Sequence, residues 1–70
     1  MKKIYKIEVD CANCANKIQD AISKINGVNS VTVNFMTQKM IIDINDDIYD
    51  ETFKLAVKTA KKVESDFKVL

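Results

Sequence analysis

Apolar and polar residues alternate from Lys3 to Val9, with Tyr5, Ile7 and Val9 falling on one side. That period of two predicts a half-buried strand. The alternation breaks at Asp10-Cys11-Ala12-Asn13, after which Ala15, Ile18, Ala21, Ile22 and Ile25 recur three and four apart. Such spacing predicts an amphipathic helix, and Asn26-Gly27 predicts its end, because glycine takes the left-handed backbone cheaply. Val31, Val33 and Phe35 alternate next, then Met40, Ile42 and Ile44, with Met36-Thr37-Gln38 between them. Two alternating runs around a short polar turn predict a hairpin. Asn45-Asp46-Asp47 offers an N-cap to a second helical stripe through Tyr49, Phe53, Ala56, Val57 and Ala60. A last alternation at Val63, Ser65, Phe67 and Val69 predicts a fourth strand.

The order βαββαβ predicts an α+β, ferredoxin-like sandwich: a four-stranded antiparallel sheet with two helices on one face. No linker, repeat or low-complexity tract divides the chain, so residues 1–70 read as a single domain. The topology gathers three connections at one pole: Asp10–Asn13, Met36–Gln38 and a turn around Lys61-Lys62. The acidic residues Asp46, Asp47, Asp50 and Glu51 fall at the other pole, beside Gly27. The acidic residues after Asn45 are therefore expected opposite the cysteines, with Lys61 and Lys62 beside the cysteines, while Glu8 puts one further negative charge near their loop.

Composition narrows the chemistry. The 70 residues carry a formal net charge of +1, 47% hydrophobic and 30% charged residues, one glycine, and no histidine, proline or tryptophan. Near-neutral charge gives no bulk attraction to nucleic acid or an anionic membrane. Without histidine, neither a Ser-His-Asp nor a Cys-His catalytic arrangement can be built. Two cysteines alone cannot close a four-ligand Cys/His structural zinc site. No apolar run approaches the ~20 residues that span a bilayer, and Lys6, Glu8 and Asp10 interrupt any leader-like stretch after Met1-Lys2-Lys3. A cytoplasmic setting is expected, with Cys11 and Cys14 reduced.

Cys11-Ala12-Asn13-Cys14 falls where a strand hands over to a helix. A CxxC on such a loop aims both sulfurs at one point, and the helix start stabilises thiolates with its free N–H groups and dipole. Three functions fit. Thiol–disulfide exchange uses a CxxC in this position, although thioredoxin-like proteins place a proline opposite it and this chain has none. Two thiolates can hold Cu(I), a soft ion, unaided, whereas Zn(II), Cd(II) or Pb(II) needs further donors. Asp10, directly before Cys11, either supplies an oxygen donor to a divalent ion or serves the helix start electrostatically. Met36 offers a thioether, or else packing. The aromatic residues Tyr5, Phe35, Tyr49, Phe53 and Phe67 follow the apolar periodicity and read as core, not as a base-stacking platform.

Val9-Asp10-Cys11-Ala12-Asn13-Cys14-Ala15, an Ile-rich helix and Gly27-Val28 within βαββαβ resemble the heavy-metal-associated domain. That family includes cytosolic copper chaperones and the N-terminal domains of metal-exporting P-type ATPases. The resemblance covers essentially the whole chain. It implies that Cys11 and Cys14 bind metal, that Asp10 adds an oxygen ligand, and that the chain is not itself an enzyme. An aspartate before the first cysteine is similar to the Zn/Cd/Pb-exporting branch. The implied function is capture of Zn(II), Cd(II) or Pb(II) and transfer by ligand exchange, as a cytosolic domain of such an ATPase; Cu(I) chaperoning is the alternative. The implied partner is a metal-donating or metal-accepting protein, or the membrane part of the ATPase. The expected state is a monomer, or a metal-bridged dimer. Two features stand apart. Glu8-Val9 replaces the Gly-Met usual in the family, and Lys61-Lys62 is similar to the copper-chaperone turn whose lysine balances the bis-thiolate charge.

Overall fold

The computed structural model describes all 70 residues. Strand β1 (Lys2–Glu8) leads to helix α1 (Ala12–Ser23), the hairpin β2 (Val28–Asn34) and β3 (Lys39–Ile44), helix α2 (Tyr49–Val63) and a short β4 (Lys68–Val69). The sheet order is β2-β3-β1-β4, antiparallel throughout. This is the predicted α+β sandwich.

Each element buries the face its pattern marks. Ile7 and Val9, Val31 and Val33, and Met40, Ile42 and Ile44 point from the sheet into the core; Ala15, Ile18 and Ile22 of α1 and Ala56 and Ala60 of α2 meet them. Each fully buried Ile contributes roughly 1.5–3 kcal/mol of hydrophobic stabilisation. Phe67 and Tyr49 complete this core, while Tyr5, Phe35 and Phe53 pack half-buried against it. Tyr5 stacks on Phe53 with ring centroids 4.7 Å apart, and the Tyr5 and Tyr49 hydroxyls hydrogen-bond each other. Burial raises the Tyr49 pKa, and that bond raises it further.

Three expected boundaries move. Helix α1 closes at Ser23 with Lys24 as its C-cap, so that Gly27 ends the following turn and not the helix. Helix α2 runs on to Val63, closed by the Glu64 N–H donating to the Ala60 carbonyl at 2.9 Å. Val63 and Ser65 are thus not strand residues, and β4 keeps only Lys68 and Val69. Lys61 and Lys62 lie in the last turn of α2, where cations suit the helix dipole; the turn itself is Glu64-Ser65-Asp66. At the other end, Asn45 precedes a short 3-10 turn, Asp46–Ile48, and gives no side-chain cap. Its side-chain oxygen instead accepts from Asn29 at 3.0 Å.

Gly27 ends the α1 connection at φ +100, and a Cβ there would meet Ile48 Cδ1 at 2.7 Å. The backbone conformation requires glycine, and the end of the Ile48 side chain would have to give way to any Cβ. Edge strand β2 turns the Val33 N–H outward, and Gln19 of α1 accepts it at 2.9 Å. No helix is long and apolar enough to cross a membrane.

Candidate metal centre

β1 ends at the core residue Val9, and the chain turns into α1 through Asp10 and Cys11. Cys11 is the N-cap of α1, in extended backbone, and its Sγ accepts the Cys14 N–H at 3.1 Å. The motif therefore straddles the helix start instead of occupying a loop: Cys14 sits inside the first turn. Both thiols are free and half-buried. The cap is Cys11, not Asp10, which is exposed one residue earlier.

The sulfurs differ. The Cys11 pKa is lowered, first by the Cys14 thiol beside its sulfur and then by the Cys14 N–H that the sulfur accepts. The first turn of α1 contains no acid to oppose the helix dipole there. Cys14 is pushed up to about 12, first by its bond to the Cys11 sulfur and then by Glu64. Its Sγ donates to Glu64 Oε2 at 3.1 Å. The pair thus has one sulfur suited to the thiolate form and one that holds its proton.

Glu64 also belongs to a carboxylate group. One oxygen each from Asp10, Glu64 and Asp66 lies within 4.8 Å of the others. The Asp10 pKa is raised, first by hydrogen bonding with Asp66 and then by its charge. The cysteine pole is consequently acidic, and the expected division between acids opposite the cysteines and lysines beside them is overturned. The cause is the longer α2, after which Glu64 reaches Cys14 and Asp66 reaches Asp10. Met36, on the β2–β3 turn, is 87% exposed and fills no gap in the core.

The sequence reading missed Glu64 and Asp66. The available signal was α-helical: Glu64 lies four residues beyond Ala60, on the buried stripe of α2. The carboxylate group contains neither sulfur, and Glu64, bonded to Cys14, is what links it to the thiols, so that sulfur and oxygen donors share one pole without Asp10 meeting the cysteines directly.

The sequence pattern of the heavy-metal-associated domain matches residues 4–65. The chain belongs to the heavy-metal-associated domain family, whose members bind heavy metals. It is 45% identical over 40 residues to a zinc/cadmium/lead-transporting P-type ATPase of Escherichia coli K12, a match taking in 57% of this chain and 6% of the ATPase's length. It is 34% identical over 59 residues to the copper chaperone CopZ of Staphylococcus epidermidis, covering 81% of this chain and 87% of CopZ. Among solved structures, the N-terminal domain of ZntA in its Zn(II) form aligns at a TM-score of 0.67 with 28% identity, covering 99% of this chain and 88% of that one.

Proposed function

We propose that this domain captures a thiophilic divalent cation, Zn(II), Cd(II) or Pb(II), on Cys11, Cys14 and Asp10, with Glu64 as a further carboxylate donor, and passes it on. The observation that carries this reading is Glu64 Oε2, 3.1 Å from Cys14 Sγ, beside the Asp10 and Asp66 carboxylates. Carboxylates are useful donors to a borderline divalent ion and add little to Cu(I). The 45% identity to a zinc/cadmium/lead ATPase points the same way.

Loading releases the Cys14 proton, because a thiol ligates as thiolate. Its loss to solvent frees the Glu64 carboxylate, until then bonded to the thiol, for the ion. Transfer then proceeds by exchange at an unchanged oxidation state. A thiolate of the partner forms a bond to the ion while the bond to Cys11 or Cys14 breaks, and the departing sulfur keeps its electron pair. The partner is a metal-donating or metal-accepting protein, or the membrane part of a P-type ATPase, and this domain catalyses no reaction itself. The second reading, Cu(I) chaperoning, draws on the likeness to CopZ, which spans 81% of this chain.

Metal competition separates the two. In D10A and E64Q, Zn(II) and Cd(II) affinity should fall about 10- to 100-fold, the usual scale for disturbing a metal's supporting groups, while Cu(I) affinity stays within threefold. Equal losses for both classes of ion, or none for the divalent ions, would replace the divalent reading with the copper one.

A further inference from the structure

The last strand residues before the cysteines depend on one glutamine. Along β1, the ladder to β3 runs from Lys2↔Asp43 to Lys6↔Lys39. It gains one more bond, Ile7 N–H to the Gln38 carbonyl at 3.0 Å. Amides on one side of an antiparallel strand recur every second residue, so the next to need an acceptor there is Val9. The partner strand has already turned away: Gln38 has φ +54. Val9 is only 5% exposed, so its N–H needs a protein acceptor. The Gln38 side chain supplies it, with Oε1 accepting the Val9 N–H at 2.9 Å. The other end of the same amide, Nε2, donates to the Phe35 carbonyl at 2.8 Å and so fixes its orientation.

Gln38 thus continues the ladder for one step with a side chain where the backbone has left. The demand on this position is double. Left-handed backbone favours glycine, but glycine could make neither side-chain bond. A non-glycine residue held at positive φ by bonds on three sides marks a place where local strain is tolerated for what the side chain does.

We propose that Gln38 is a positioning residue of the metal centre: it fixes the end of β1 from which Asp10 and Cys11 project. This rests on the metal-binding reading above. Gln38 touches neither sulfur nor carboxylate of the site; it acts through Val9.

The test uses Q38G, Q38M and Q38E, followed by thermal melting, amide hydrogen exchange and Zn(II) competition against a chromophoric chelator. Q38G and Q38M should bind Zn(II) about tenfold more weakly, the lower end of the range for groups that orient ligands. Q38G loses two bonds but sheds the unfavourable φ, so its melting temperature should stay close to that of the parent, which separates positioning from general instability. In both variants exchange of the Val9 amide should accelerate at least tenfold while Ile7, bonded to a backbone carbonyl, is unaffected. Q38E keeps an acceptor for Val9 and should restore both its protection and most of the affinity. Zn(II) affinity within twofold of the parent in both Q38G and Q38M, with Val9 exchange accelerated, would overturn the positioning role while leaving the functional reading intact. A parent protein that takes up neither Zn(II) nor Cu(I) would overturn both.

Discussion

The two poles of the sandwich both carry acidic clusters, and the clusters differ in how their charge is met. At the pole of Gly27, Asp50 and Glu51 occupy the first turn of α2, where the dipole favours them. Asp46 there lies 3.1 Å from the amino group of Met1, whose pKa is raised mainly by Asp46. At the cysteine pole, Asp10, Glu64 and Asp66 face one another, Glu64 alone also meets the Cys14 thiol, and none of the three forms an ion pair with a lysine. The first cluster is balanced by the fold's own positive ends. The second has only the start of α1 beside Asp10 and no ammonium group paired with it, and carboxylate crowding raises the Asp10 pKa. The number of acids therefore says little; what faces them decides whether they serve the fold or a cation.

The largest effects should come from removing sulfur at the second pole. C11S and C14S should each lower Zn(II) and Cu(I) affinity by on the order of a thousandfold, because thiolate is the ligand common to both ions. Far-UV circular dichroism should hardly change, since serine at 11 still caps α1 and Cys14 only borders the core. Retained affinity in both variants would remove the distinction between the poles altogether.

A lesion at the first pole should do the reverse. G27A should destabilise the fold by about 2–3 kcal/mol in urea unfolding, combining a φ unfavourable to alanine with overpacking against Ile48 and Thr52. Metal affinity of the folded fraction should stay within twofold. A loss of affinity matching the loss of stability would mean that the poles are not independent.

The smallest effect concerns pH. Asp10 has its pKa raised in the folded chain, so the folded state binds this proton more tightly than the unfolded one. Its contribution favours folding at low pH and is lost as pH rises through the carboxylate range. D66N removes the first-named cause of the shift. The metal-free variant should therefore melt slightly higher than the parent at neutral pH, and the difference should shrink as the pH is lowered through that range. A lower melting temperature at neutral pH would show that Asp66 supports the fold and does not crowd it.

Most of the architecture was legible because each surface alternates in the period of its element: Tyr5, Ile7 and Val9 for a strand, Ala15, Ile18 and Ile22 for a helix. The Cys11–Cys14 pair was equally plain, being local. The border of α2 and β4 was not, because Val63, Ser65, Phe67 and Val69 satisfy the strand period while Ala60 and Glu64 satisfy the helical one. Tertiary packing decides: Ala56 and Ala60 are fully buried, and the helix continues past them until Glu64. That one boundary hid the acidic half of the site, since Glu64 meets Cys14 across 50 positions of sequence. Gln38 was invisible for a similar reason. It read as turn filler, and its role exists only because β1 outlasts β3.

The strand order has a mechanical side. β1 is flanked by β3 and β4 and delivers the cysteines from the middle of the sheet, whereas Glu64 and Asp66 hang between a helix end and a strand of two residues at its rim. The pole is built like a vice with one jaw bolted to the bench and the other on a short hinge. Both sulfurs and the Asp10 oxygen belong to the fixed jaw, and the oxygens of Glu64 and Asp66 to the other.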